Sequence, residues 1–189
     1  MENLFWIGIV GALIALCFAL IQSRKVMKFS EGTPTMEKLA SAIRKGANAY
    51  LKRQYRTVAI FFIVMAIILG ILAIIEYVSP FVPFAFLTGG IYSALAGLIG
   101  MKIATSSNAR TANAARESLN KGLRVAFSSG AVMGFTVVGL GLFDISVWFH
   151  LLKYVFDCDV AEIAQTMVMF GMGASAMALF ARVGGGIFT

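Results

Sequence analysis

Charge is scarce in this chain of 189 residues: Asp, Glu, Lys and Arg together make up 13% of it. An ordinary soluble domain carries about 25%, so the deficit argues against a typical cytosolic enzyme. Metal-ligating residues are scarcer still. The two cysteines, Cys17 and Cys158, form no CxxC pair, and with His150 as the single histidine there is no zinc set. Nine acidic residues, mostly scattered, leave little material for a multi-metal site. There is no GxxxxGK[ST] phosphate loop and no Ser-His-Asp set. What fills the chain is apolar: 59% hydrophobic residues and a mean hydropathy of +0.85. Disorder, whose signature is low hydrophobicity, is thereby excluded.

A bilayer-spanning helix needs roughly 20 mostly apolar residues. Five stretches qualify: 4–21, 58–75, 84–101, 125–143 and 161–181. The composition therefore predicts an all-α integral membrane protein. The first stretch is read as a span rather than a cleaved secretory signal. It has no basic leader and no AxA-like end, and Glu2 is the only charge before it.

The basic residues give an orientation. The net charge of +7 comes from 16 Lys and Arg against 9 Asp and Glu. Nine of the basic residues lie between the first two spans: Arg24, Lys25, Lys28, Lys38, Arg44, Lys45, Lys52, Arg53 and Arg56. None lies between the second and third. Five follow the third: Lys102, Arg110, Arg116, Lys121 and Arg124. One, Lys153, lies between the fourth and fifth. This alternation fits the positive-inside rule. It predicts the N-terminus outside and the basic segments 24–56 and 102–124 in the cytoplasm. An anionic leaflet, and no nucleic acid, is the partner this charge implies.

Neither basic segment reads as a slack linker. Thr33-Pro34 has the form of a helix start, with Thr33 as N-cap and Pro34 at the first helical position. Met36, Leu39, Ala40, Ile43, Ala47, Tyr50 and Leu51 then recur at helical spacing, opposite Lys38, Arg44, Lys45, Lys52 and Arg53. This is either a basic amphipathic helix on acidic lipid or an extension of the second span. The absence of Gly or Pro from Tyr50 to Val58 favours the extension. Residues 108–124 are also helical in composition, with Ala109, Ala112, Ala115 and Leu119 on one side.

Small residues stud the spans. Ala85, Gly89, Ser93 and Gly97 sit four apart on the third, as do Gly130 and Gly134 on the fourth, while the fifth carries Gly171, Gly173 and Ser175. Such spacing lets helix backbones approach closely. Tight bundle packing is the first reading, and a conduction path between close helices the second. Met167, Met169, Met172 and Met177 read as adaptable packing. Trp148 and His150 are expected at the outer membrane interface. Flanked by Trp148, His150 and Lys153, Asp144 is expected at headgroup depth. Arg182 stands apart: a cation after an apolar run, followed by Val183-Gly184-Gly185-Gly186. Position alone leaves open whether it snorkels to the surface or has a function.

The final run, Phe180-Ala181-Arg182-Val183-Gly184-Gly185-Gly186-Ile187-Phe188-Thr189, resembles a signature of membrane-integral pyrophosphatases. These ion pumps couple pyrophosphate hydrolysis to transport of H⁺ or Na⁺. Earlier segments agree. Glu31-Gly32-Thr33 through Ile43-Arg44-Lys45-Gly46-Ala47-Asn48-Ala49-Tyr50-Leu51 resembles the family's first cytoplasmic loop. Gly97-Leu98-Ile99-Gly100-Met101-Lys102-Ile103-Ala104-Thr105, with Asn108-Ala109-Arg110-Thr111-Ala112 and Ala114-Ala115-Arg116, resembles its third span and the loop after it. Ser129-Gly130-Ala131-Val132-Met133-Gly134 matches the fourth.

The resemblance implies the first five of about sixteen spans, in a protein that works as a homodimer. The chain stops at Thr189, where the family continues into a lysine and paired aspartates that hold pyrophosphate and Mg²⁺. The expectation is therefore a chain without the hydrolytic site, inactive alone, whose partners are the remaining spans and the lipid bilayer. Mg²⁺ is implied as a cofactor bound by residues beyond this chain, and K⁺ is left open as an activator. Arg182 is implied to belong to the ion pathway, paired with a carboxylate of a later span. The localisation implied is a prokaryotic plasma membrane. The alternative is a self-contained five-span partner or assembly subunit derived from the family, without enzymatic activity.

Overall fold

The structure is a computed structural model. It describes residues 2–188, and side-chain surroundings for residues 6–183 and 185–187. Thr189, the last residue of the run that carries the family resemblance, lies outside the described residues, as do the side chains of Leu4, Gly184 and Phe188.

Every regular element described is helical. The order is α1 (Glu2–Met27), α2 (Pro34–Ile74), α3 (Val82–Glu117), α4 (Leu119–His150), a π-helical turn (Leu151–Val155) continuing α4, and α5 (Val160–Phe188). All five α-helices are long and apolar enough to cross a membrane. With the family match reported below, this is an all-α integral membrane protein.

Helix length explains where the basic segments go. At 1.5 Å per residue, the 41 residues of α2 span about 60 Å, twice the roughly 30 Å of a hydrocarbon core. Thr33 starts the helix as the sequence predicts: extended at φ −75° and ψ 159°, it accepts from Met36 N at 3.4 Å through Oγ1. Residues 34–57 are thus the first part of one unbroken helix. α3 likewise continues through Glu117. Ser118 alone separates it from α4, extended at φ −164°, and caps α4 by accepting from Lys121 N at 3.3 Å. Because α2 and α3 run antiparallel, the polar ends of α2, α3 and α4 gather at one end of the bundle.

α3 is the central helix. It packs against α4, α5 and α2, while α1 lies on the far side of α4. One core joins Val58, Phe62, Leu69, Val82, Phe86 and Met177 from α2, α3 and α5. A second joins Ala85, Trp148, Leu152, Cys158, Ile163 and Phe170 at the end opposite the basic extensions. There the turn after α2 is tied to α5: Ser79 Oγ donates to Glu162 Oε1 at 2.7 Å, and Ser79 N to Gln165 Oε1 at 3.2 Å.

The small-residue spacing splits into two groups. An added Cβ on Gly89 would lie 2.3 Å from Phe170 O, and one on Gly173 would lie 2.1 Å from Phe86 O. These glycines let the α3 and α5 backbones touch. Gly139 does the same for α4 against Leu16 and Ala12 O of α1. Gly130, Gly134, Gly141, Gly171 and Gly186 would meet nothing within 4 Å. Close packing therefore accounts for the first group and not for the second.

Candidate functional site

The packing of α3, α4 and α5 leaves a groove of about 720 Å³ between them. Its walls are those of a small-residue seam: Gly89, Ser93 and Gly97 from α3, Val137 and Gly141 from α4, Ala174 and Ala178 from α5. Two hydrogen bonds fix the α3 side. Ser93 Oγ donates across to Ala174 O at 2.9 Å, and Tyr55 OH donates to Ala94 O at 2.8 Å. Gln54 Nε2 donates to Phe180 O, holding α5 to α2 two residues before Arg182.

Arg182 closes one end of this groove, beside Gly185 and Gly186. Its side chain is exposed, and among the described residues no ion pair involves it. The rest of the lining is mostly apolar, with the hydroxyls of Tyr92, Ser93 and Ser175, so Arg182 is the charged group in it that can hold an anion or steer a cation. The sequence singled out this arginine by position; the structure adds the cavity it faces.

Asp144 departs from expectation. It is 3% exposed, set between helices rather than at a wetted interface. Trp148 is also buried, and its Nε1 donates to Thr88 Oγ1 at 2.8 Å. This anchors α4 to α3, not the indole to headgroups. The interfacial reading rested on chain neighbours, and it could not see a threonine 60 residues away. His150 stacks at an angle on Tyr154, with ring centroids 5.1 Å apart. Cys158 is buried among acids. Burial first, and Glu162 second, push its thiol up, which keeps it protonated and inert.

A second polar centre holds the basic end together. Glu31, in the turn between α1 and α2, accepts from Arg44 Nη1 at 2.7 Å and Nη2 at 3.2 Å, and pairs with Arg110 Nη1 at 2.8 Å. Arg110 also donates through Nε to Phe29 O at 2.9 Å and through Nη1 to Ser106 O. The Arg44 hydrogen bonds hold the Glu31 carboxyl below its ordinary value, with the Arg110 charge adding to them. Gly32 follows at φ +99°, a left-handed conformation that suits glycine. A Cβ there would also lie 2.8 Å from Asn113 Oδ1. Helical periodicity carried no sign of this three-residue link. Two arginines and a glutamate inside the matching motifs were its only trace.

Among the described residues, no three or more His, Cys, Asp or Glu side chains are grouped so that they could hold a metal. These residues do not fit Mg²⁺-bound pyrophosphate, and no hydrolytic step is derived from them.

Comparison with known proteins gives these features a family. The sequence family described as inorganic H⁺ pyrophosphatase matches residues 13–189. A putative K⁺-stimulated pyrophosphate-energized sodium pump of Bacteroides thetaiotaomicron is 55% identical across 98% of this chain and 26% of its own length. A K⁺-insensitive pyrophosphate-energized proton pump of Methanosarcina mazei is 40% identical across 100% of this chain and 26% of its own. A K⁺-insensitive pyrophosphate-energized proton pump 2 of Moorella thermoacetica is 41% identical across 99% and 26%. The chain thus spans about a quarter of the length of these curated relatives. With a family match over nearly every residue and close relatives along the whole chain, this protein belongs to the inorganic H⁺ pyrophosphatase family of membrane pumps.

Proposed function

We propose that this chain is the N-terminal five-span part of an ion pump that couples pyrophosphate hydrolysis to movement of H⁺ or Na⁺ across a membrane. The observation that carries this reading is Arg182 at the end of the α3/α4/α5 groove. A cation exposed on an apolar helix is costly at membrane depth unless a carboxylate faces it. The reading supplies one from a later span. Arg182 then belongs to the ion pathway, where its charge repels a passing cation unless its carboxylate partner offsets it. Movement of that partner would raise or lower the barrier.

The glycines with open space beside them support the same reading. Among the described residues, a Cβ added at Gly130, Gly134 or Gly171 would meet nothing within 4 Å. Small residues in a bilayer serve close helix approach. In this proposal, the faces that carry these glycines receive the remaining spans. Mg²⁺ and pyrophosphate are bound by residues outside this chain, where the metal would neutralise phosphate charge. The complete pump is a homodimer in a prokaryotic plasma membrane. Its membrane-embedded parts here are 4–21, 58–75, 84–101, 125–143 and 161–181, with the N-terminus outside and the basic extensions in the cytoplasm. K⁺ as an activator belongs to the same proposal.

A chimera tests it. The matching quarter of the Bacteroides thetaiotaomicron relative is replaced by this chain, and the product is reconstituted in vesicles. Pyrophosphate-dependent ion uptake is the expected result. A chimera that inserts and dimerises yet neither hydrolyses pyrophosphate nor takes up ions defeats the proposal.

A further inference from the structure

Asp144 is a carboxylic acid placed where a free carboxylate is unfavourable. It lies on α4 six residues before the helix ends at His150, at the end opposite the basic extensions, and is 97% buried by the measure of its 3% exposure. Thr88, in the second turn of α3, faces the same stretch of α4, because Trp148, one turn after Asp144, donates to it. That threonine is itself fixed: it accepts from Trp148 Nε1 at 2.8 Å and its Oγ1 lies 3.1 Å from Ala85 O. Tyr92, one turn further along α3, lies beside Phe143, the residue before Asp144, with ring centroids 6.2 Å apart, and lines the groove that ends at Arg182. The second carboxyl oxygen, Oδ2, is fully buried and has no partner among the described residues.

No ion pair among the described residues involves Asp144. The titratable groups at this end of the bundle include Tyr92 on α3, His150 on α4, Lys153 and Tyr154 in the π-helical turn, Asp157, Cys158 and Asp159 before α5, and Glu162 on α5. Of these, Glu162 is engaged by Ser79. α1 presents Gly8 and Gly11 to this stretch, against Ser146 and Leu142. A buried carboxyl without a basic partner is neutralised by a proton or by a bound cation. One carboxylate with neutral hydroxyl and carbonyl oxygens balances a single positive charge. Hard oxygen donors suit a proton or an alkali cation rather than zinc or copper, and a divalent ion would call for more carboxylates.

We infer that Asp144, Thr88 and Tyr92 form a buried monovalent-cation site, taking H⁺ or Na⁺, at the end of the α3/α4 seam remote from the basic extensions and separate from Arg182. Trp148 and Ala85 O hold the Thr88 hydroxyl in place, leaving its oxygen as a neutral donor beside the carboxyl. Tyr92 links the site to the groove.

Infrared difference spectroscopy on the protein purified from its own membrane and reconstituted in lipid tests this without any assay of hydrolysis. Its outcome is therefore independent of the pump reading. Two steps are applied separately: Na⁺ added at fixed pH, and pH raised without Na⁺. The expected signal is loss of a protonated carboxyl C=O band that Asp144→Asn lacks. Loss on adding Na⁺ identifies a Na⁺ site that protons compete for, and loss only on raising pH identifies a proton site. If neither step changes an Asp144-dependent band, there is no such site. Thr88→Val keeps the carboxyl and guards against a misfolded Asp144 variant. It is expected to shift the Na⁺ or pH midpoint about tenfold, with Thr88→Ser restoring it. An unmoved midpoint in Thr88→Val overturns the site as drawn.

Discussion

Glu31 grips Arg44 with both carboxylate oxygens, Oε1 at 2.7 Å from Nη1 and Oε2 at 3.2 Å from Nη2. The same Oε1 also meets Arg110 from α3. One carboxylate therefore ties the α1–α2 turn, the extension of α2 and the polar end of α3. Glu31→Gln keeps the shape and removes the charge, leaving two partly buried arginines without their counter-ion. The expected loss is about 2 kcal/mol. It should appear as a lower thermal midpoint in detergent and as faster proteolysis within residues 28–33. Equal stability and equal cleavage would mean the link is incidental.

The same carboxyl gives a pH dependence with a defined sign. Its two arginines hold it below its ordinary 4.5 in the folded state. The folded chain therefore binds fewer protons here than the unfolded chain. The stability it contributes is fully present above about pH 4.5 and is lost as pH falls through the lowered folded value. Glu31→Gln has no such component. The stability gap between the native chain and this variant should narrow as pH drops below about 4.5, and stay constant above it. A gap that widens on acidification contradicts the assignment.

The five helices were legible because hydropathic runs report burial in lipid regardless of what each helix touches. The start of α2 was legible because Thr33-Pro34 is local chemistry. The burial of Trp148 and Asp144 was not legible, for the opposite reason. Their setting depends on Thr88, and a rule about interfacial aromatics reads neighbours in the chain, not across the bundle. The Glu31–Arg110 pair spans 79 residues and leaves no periodic trace. Arg182 was legible as an anomaly, a lone cation in an apolar helix, while the groove it closes required three helices in place.

Glycine substitutions on α5 should separate the two faces of that helix. Gly173 lets the α3 backbone approach: an added Cβ would lie 2.1 Å from Phe86 O, a backbone atom that cannot swing aside. Gly171, one step of two residues away, would meet open space. In the isolated 189-residue chain, Gly173→Ala is expected to cost about 1–3 kcal/mol and Gly171→Ala well under 1. Thermal unfolding in detergent reports both. In the chimeric pump, Gly171→Leu should impair assembly while leaving the isolated chain intact, since the proposal puts another span there.

The proposed topology rests on the charge asymmetry. Cysteines placed at Ser79 and at Lys45, in a Cys17→Ser, Cys158→Ser background, should label from opposite sides of a sealed vesicle. Impermeant maleimide reaches position 79 from outside the cell and position 45 from the cytoplasm. Labelling of position 79 from the cytoplasmic side alone would reverse the orientation and remove the basis for placing Arg182 toward the cytoplasm.

Arg182 is the sharpest test of function. In the chimeric pump, Arg182→Ala leaves its proposed carboxylate partner uncompensated in a low-dielectric groove, at about 3–5 kcal/mol. Arg182→Lys keeps a charge but lacks the planar fork that can hold a carboxylate through two hydrogen bonds. Because the groove holds no hydrolytic residues, the effect should fall on ion movement at least as heavily as on hydrolysis. Arg182→Ala is therefore expected to cut ion uptake to an equal or greater degree than phosphate release, with Arg182→Lys restoring only part of each. Vesicles measure the two activities side by side. If Arg182→Ala pumps at the native rate, the arginine only reaches for the membrane surface, and the ion pathway runs elsewhere.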